Sequence, residues 1–174
     1  MSLPDALAVF RSLAGLPIIF ALGSDGRAFA LALFVAAALS DALDGWVARR
    51  AGSTTDHGVL LDPIADKALV LLTLAGLSLV GAVPLGLVAA VAAREVLVSG
   101  LRVLRYRAGE HLPASSAAKL KTALEMCAIA VLIVARPPTT LATIGIAVLA
   151  GALLIGLVTL PTYFPRKKQR TMTT

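Results

Sequence analysis

Apolar residues run along this chain in long stretches, each closed by a short cluster of glycine, proline or polar residues. The stretches fall at 4–22, 28–49, 63–82, 85–107, 117–135 and 141–163. The breaks are Gly23-Ser24-Asp25-Gly26, Ala51 to Gly58, Gly81-Ala82-Val83-Pro84, Ala108 to Pro113 and Arg136-Pro137-Pro138. A helix needs about 20 apolar residues to cross a bilayer. The pattern therefore predicts an all-α integral membrane bundle of six transmembrane helices. No break is long enough to link two domains, so residues 1–174 are expected to form one transmembrane domain with a short basic tail at 165–174.

Composition supports this and excludes the main alternatives. Hydrophobic residues make up 58% of the chain and charged residues 15%, with a mean hydropathy of +0.88; a soluble domain carries roughly a quarter charged residues. A soluble enzyme, a disordered tail and a disulfide scaffold are all poor fits. Cys127 is the only cysteine, so no intramolecular disulfide can form. The net charge of +6 raises nucleic acid as a partner, but topology explains it better. With the N-terminus in the cytoplasm, only Arg27 and Arg136 of the sixteen Lys and Arg lie at the outer side. That bias predicts a multi-pass protein of the cell membrane with both termini cytoplasmic, and no nucleic-acid partner. The tail Arg166-Lys167-Lys168-Gln169-Arg170 fits a segment lying on anionic lipid headgroups. Residues Met1 to Arg11 lack the pattern of a removable signal.

Five of the ten acidic residues, Asp41, Asp44, Asp56, Asp62 and Asp66, fall between positions 41 and 66. At 3.6 residues per turn, Asp41, Asp44, Gly45, Ala48 and Arg49 share one face of a helix, and Gly58, Asp62 and Asp66 form a stripe on the next. A short connection makes these helices antiparallel neighbours, so four carboxylates can converge at the cytoplasmic end of the bundle. Ionised carboxylates near hydrocarbon are costly unless compensated. Divalent cations supply that compensation, and a hard all-oxygen donor set suits Mg²⁺ or Mn²⁺, with room for a pair of ions that would bind a diphosphate. Gly45 and Gly58 allow close approach, while Arg49 offers a fork for phosphate oxygens. The residues thus point to phosphoryl transfer. Solvated helix ends and N-caps would explain a single Asp, such as Asp56, but not four at these spacings.

The full pattern, Asp41-x-x-Asp44-Gly45-x-x-Ala48-Arg49 and then Gly58-x-x-x-Asp62-x-x-x-Asp66, resembles the motif of the CDP-alcohol phosphatidyltransferase family at every fixed position. The resemblance implies that family's six-helix fold, two divalent ions, and displacement of CMP from a CDP-linked lipid by an alcohol. It also implies Asp41, Asp44 and Asp62 as metal ligands, Asp66 as base and further ligand, and Gly45, Ala48, Arg49 and Gly58 as the pocket for the CDP moiety.

Other segments bear on the alcohol. Leu61-Asp62-Pro63-Ile64-Ala65-Asp66-Lys67, Ala93-Arg94-Glu95, Ser99-Gly100-Leu101-Arg102 and Ser115-Ser116-Ala117-Ala118-Lys119-Leu120-Lys121-Thr122 resemble the bacterial phosphatidylglycerophosphate synthase subgroup. That resemblance implies CDP-diacylglycerol and glycerol 3-phosphate as substrates. The residues agree, because Arg94 and Arg102 share a helix face, Lys119 and Lys121 open the next helix, and so many cations suit an acceptor bearing a phosphate. Arg94 also has Glu95 and Glu125 as possible ion-pair partners. Arg11 is a further candidate for phosphate or an edge anchor. The subgroup's opening Pro-Asn-x-Leu-Thr-x-x-Arg stands here as Pro4-Asp5-Ala6-Leu7-Ala8-Val9-Phe10-Arg11, and its Gly before Lys119 is Ala118.

Inositol phosphate or phosphatidylglycerol could replace the acceptor within the same fold, although Lys121 stands where a cardiolipin synthase would carry Asn. From a different class, a divalent-cation carrier would also use four carboxylates, but it leaves Arg49, Gly45 and the cations unexplained. His57 and His111 lie in connections without metal-binding partners. Trp46 and Tyr163 are expected at the membrane interface. Gly86, Ala89, Ala93 and Gly100 are expected helix contacts, and the family resemblance implies a homodimer.

Overall fold

The structure, a computed structural model, describes residues 3–51, 58–109 and 115–164, with side chains over 11–40, 67–109 and 115–164. The described residues form six long helices and no strand: α1 (Leu3–Gly23), α2 (Arg27–Ala51), α3 (Gly58–Leu79), α4 (Leu85–Arg107), α5 (Ser116–Val134) and α6 (Thr140–Val158). A 3₁₀ turn, Leu160–Tyr163, follows α6. At 1.5 Å per residue, the 21 residues of α1 span roughly 31 Å, about the thickness of a bilayer's hydrocarbon core.

The six expected helices are present, with two shifts. Helix α3 starts at Gly58 rather than 63, because Asp62 and Pro63 interrupt the apolar run without interrupting the backbone helix. The sixth stretch divides into α6 and the 3₁₀ turn at Pro161, which has no N–H to continue an α-helical ladder. The turns are locally encoded. Asp25 takes a positive φ of 60° between α1 and α2, a conformation Asp tolerates better than most residues. Ser115 caps α5 by accepting from the Ala118 N–H at 3.2 Å, and Thr139 caps α6 by accepting from Ala142 at 3.2 Å.

Helix α1 packs broadly on α3 and also on α2; α5 packs broadly on α6, and α4 bridges α3, α6 and the 3₁₀ turn. Helices α2 and α3 touch one another, but each gives more of its surface to α1. Ile18, Phe34, Leu69, Leu74, Leu77, Ile129, Leu132 and Leu149 form a continuous apolar core. Across the end carrying the α1–α2 and α5–α6 connections, Arg136 Nη2 meets Asp25 Oδ1 at 2.8 Å. At the same end, Arg27 Nη1 donates to the carbonyls of Ile133 at 3.1 Å and Ala135 at 2.8 Å. The two cations expected on the outer side thus lie together.

Polarity is inverted relative to a water-soluble bundle. Phe20, Phe29, Leu79, Leu85, Val96, Leu104, Val134, Leu154 and Val158 are exposed, whereas Arg11, Thr73, Arg94, Glu95, Lys121 and Glu125 are buried. Among the described residues, α6 is the one helix long and apolar enough to cross a membrane by its own composition; Arg11–Gly23, Arg27–Ser40 and Lys67–Leu79 are shorter apolar stretches. Each of these stretches opens on a cation, Arg11, Arg27 or Lys67.

Close approach of α1 and α3 depends on Gly15, since a Cβ there would lie 2.5 Å from Leu72 Cβ. Gly15→Val is expected to push these helices apart and cost about 1–3 kcal/mol. A lowered unfolding midpoint in detergent is the expected result; an unchanged midpoint would refute this packing.

Candidate active site

The described polar centre is built from three helices around Glu95. Position 95 faces inward on α4, and its carboxylate receives one cation from each of α3, α4 and α5. Lys67 Nζ lies 2.5 Å from Glu95 Oε2, and Arg94 Nη1 and Lys121 Nζ lie 2.6 and 2.5 Å from Oε1. Lys67 Nζ also donates to the Glu95 carbonyl at 3.3 Å. One turn beyond Lys121 on α5, Glu125 Oε2 accepts from the same Nζ at 2.5 Å. Arg94 Nη2 reaches the Gly156 carbonyl of α6 at 3.4 Å, where a Cβ at 156 would stand 2.8 Å from Arg94 Nε. The missing side chain at Gly156 is what admits the guanidinium.

Beside this network is a cleft of about 100 Å³, lined by Lys67, Arg94, Glu95, Arg102, Glu125 and Tyr163, with Val70, Val98, Ala118, Thr122 and Met126 completing its walls. Arg102 sits two turns along α4 from Arg94, as the eight-residue spacing requires. Its Nη2 donates to Tyr163 Oη at 3.1 Å, and its Cζ lies 5.3 Å from the Tyr163 ring centroid. Among the described residues, four cations and two carboxylates meet here, a set whose positive charge suits a small anionic group.

The expected acceptor residues are placed differently from one another. Arg94 and Arg102 line the cleft. Lys121 is buried just behind it, with its side chain 2% exposed, and is held by two carboxylates. Lys119 is exposed on the outer side of α5, and Arg11 is buried in α1 away from the cleft lining. Tyr163 is not an interface aromatic: it is buried, because the 3₁₀ turn folds its ring back against α4. Lys67, Glu125 and Tyr163 were not singled out by sequence as site residues. For Lys67 the signal was its position directly after Asp66; for Tyr163 none was visible, since the turn that places it is tertiary.

Asp41, Asp44, Gly45, Ala48 and Arg49 lie on α2, and Gly58, Asp62 and Asp66 on α3. Their side chains, with those of Trp46, His57 and His111, lie outside the described residues. Four carboxylates remain a donor set suited to hard divalent ions. Lys67, the residue after Asp66, lines the cleft, so the cationic centre and the aspartate stripe of α3 adjoin along the chain.

The described residues thus form a helical bundle of inverted polarity with a cleft rich in cations. The chain belongs to the CDP-alcohol phosphatidyltransferase family, whose model matches residues 1–159. It is therefore a phosphatidyltransferase of a membrane-associated family that uses divalent metals. It is similar to a protein of Mycobacterium tuberculosis named probable phosphatidylglycerophosphate synthase, 37% identical over 143 residues, covering 82% of this chain and 68% of the relative. It is similar to the CDP-diacylglycerol--glycerol-3-phosphate 3-phosphatidyltransferase of Rickettsia bellii at 39% identity, covering 76% of this chain and 75% of the relative. The Bacillus subtilis protein of that same name is 35% identical, covering 68% and 61%.

Removing the shared counter-ion should be more damaging than removing any one cation. Glu95→Ala leaves Lys67, Arg94 and Lys121 without it, and a broken buried pair costs about 3–5 kcal/mol. Denaturation in detergent is expected to show a drop of that order, against little change for Val96→Ala on the exposed face. Wild-type stability in Glu95→Ala would rule out the hub.

Proposed function

We propose that this protein transfers the phosphatidyl group of CDP-diacylglycerol to glycerol 3-phosphate, giving phosphatidylglycerophosphate and CMP. The observation that carries this reading is the cleft with Arg94 and Arg102 in its wall, adjoining the aspartate stripe of α3 through Lys67. An acceptor that is itself a phosphate monoester matches the excess positive charge, and the names of the relatives point to the same acceptor.

In the proposed site, Asp41, Asp44, Asp62 and Asp66 would hold two Mg²⁺ or Mn²⁺ ions, which when bound would neutralise diphosphate charge and so improve the leaving group. Gly45, Ala48 and Gly58 leave room for the CDP moiety and Arg49 binds its phosphate oxygens. Arg94 and Arg102 hold the acceptor's phosphate, with Lys121 fixing the carboxylates behind them and Lys119 and Arg11 adding positive potential. Asp66 takes the proton from the attacking acceptor hydroxyl. The new P–O bond then forms to the phosphatidyl phosphorus as the bond to CMP breaks, and the proton stays on the Asp66 carboxyl until solvent removes it.

The exposed apolar residues on all six helices support a six-span protein in the cell membrane. The positive-inside bias supports cytoplasmic termini and a cytoplasmic site. Gly86, Ala89, Ala93 and Gly100 are exposed on α4 and offer a close-packing face for a homodimer.

The test is CMP release by purified protein with CDP-diacylglycerol, comparing glycerol 3-phosphate, inositol phosphate, glycerol and phosphatidylglycerol. Release is expected with glycerol 3-phosphate alone; release with another acceptor instead would overturn the substrate assignment. Asp66→Asn is expected to lower the rate by about 10²–10⁴-fold, the usual contribution of a general base. Chelation with EDTA is expected to abolish release and added Mg²⁺ or Mn²⁺ to restore it; activity that survives exhaustive chelation would refute the two-ion site.

A further inference from the structure

Within the cleft, one polar atom stands apart. Glu125 is buried with its side chain 4% exposed, and Oε2 is taken by Lys121, but Oε1 is buried without any hydrogen-bond partner. A buried, unsatisfied oxygen beside a lysine is costly, and such atoms in a ligand cleft commonly have their partner on the ligand. Glu125 lines the same cleft as Arg94 and Arg102, and Arg102 Nε is likewise buried without a hydrogen bond. Arg94 Nε is buried without a partner as well, so the residues of the cleft carry unused donors on two arginines and one unused acceptor on a carboxylate. Phosphate oxygens satisfy such donors and cannot satisfy Glu125 Oε1, which requires a group carrying a proton, such as a hydroxyl.

Resting on the acceptor proposed above, we infer that Glu125 determines specificity by accepting a hydrogen bond from the secondary hydroxyl of glycerol 3-phosphate, the hydroxyl that does not attack. The attacking hydroxyl is claimed by the base, and the phosphate by the arginines, which leaves the secondary hydroxyl as the remaining donor. Lys121 makes the arrangement directional. Its Nζ is buried between Glu95 and Glu125 and donates to both, so it fixes Oε2 and leaves Oε1 as the acceptor. A site that bonds a substrate hydroxyl rejects the analogue lacking it, because the protein's own polar group is then left unpaired.

The experiment compares kcat/KM for glycerol 3-phosphate and 3-hydroxypropyl phosphate, which keeps the phosphate and a terminal hydroxyl and lacks only the secondary one. Wild-type protein is expected to prefer glycerol 3-phosphate by about 10- to 100-fold, the range of one hydrogen bond to a charged group. In Glu125→Gln the amide oxygen is drawn to Lys121 and the NH₂ can donate to the hydroxyl, so an uncharged hydrogen bond replaces a charged one and the preference is expected to fall by about five- to tenfold. The KM for CDP-diacylglycerol is expected to stay unchanged. If Glu125→Gln fails to fold, Glu125→Asp retains the carboxylate but withdraws it by one methylene, and the preference is expected to fall in that variant too. Equal use of both acceptors by wild-type protein would overturn the assignment, as would a variant that slows both acceptors equally and keeps the preference. Absence of CMP release with either acceptor, but release with a different alcohol, would instead overturn the acceptor itself.

Discussion

One carboxylate holds the polar half of this bundle together. Glu95 faces cations from α3, α4 and α5, so those three helices share a counter-ion that none could lose without exposing a buried charge. In a low-dielectric interior, such a cluster is tolerated only when every member is paired and hydrogen-bonded. That requirement fixes the register of three helices at once. A rotation of α4 by one residue, about 100°, would carry Glu95 out of reach of Lys67 and Lys121. Apolar packing is less exacting, because leucine and alanine side chains fit many neighbours, as α1 against α3 and α5 against α6 must do over most of their lengths. The bundle therefore combines a permissive apolar end with a strict charged one.

At the opposite end the polar contacts are of a different kind. Arg27 donates to the last carbonyls of α5, which have no partners of their own within the helix, and Arg136 meets Asp25 on an exposed surface. An exposed pair of that sort contributes at most about 1 kcal/mol. It closes the connections without forming a site. Charge is thus buried where chemistry is expected and exposed where the chain turns. Between the two ends the described surface is largely apolar.

Helix number and most boundaries were legible in the sequence because hydropathy and Gly/Pro punctuation are local signals. The boundaries that moved did so where hydropathy and hydrogen bonding diverge, at Asp62-Pro63 within α3 and at Pro161 after α6. The aspartate spacings, i, i+3 for Asp41 and Asp44 and i, i+4 for Asp62 and Asp66, were legible, and these residues lie on α2 and α3. Arg94 beside Glu95 was visible as a pair. That Lys67 and Lys121 converge on the same carboxylate was not, because it depends on how three helices rotate about their axes. Tyr163 illustrates the same limit: an aromatic near the end of an apolar run reads as an interface anchor, and only the fold of the 3₁₀ turn buries it.

A cluster that neutralises its own cations must still bind an anion, and the distribution of partners shows how both can hold. Arg94 and Lys121 face carboxylates directly, so their charge is partly offset and their geometry is fixed by those pairs. Arg102 differs, since the partner found for it is the neutral phenol of Tyr163. Hydrogen bonding to a phenol and contact with its ring orient the guanidinium while leaving its positive charge uncancelled. Among the described residues lining the cleft, Arg102 is the cation without a carboxylate partner, and it stands at the wall nearest the end of α6. On the acceptor reading proposed above, a phosphate bound at Arg102 would displace no ion pair among the described residues and would leave the Glu95 network in place. Preorganisation of this kind reduces the reorganisation required when the acceptor arrives. On the same reading, the 3₁₀ turn, remote in sequence from every aspartate, orients through Tyr163 an arginine of the acceptor site.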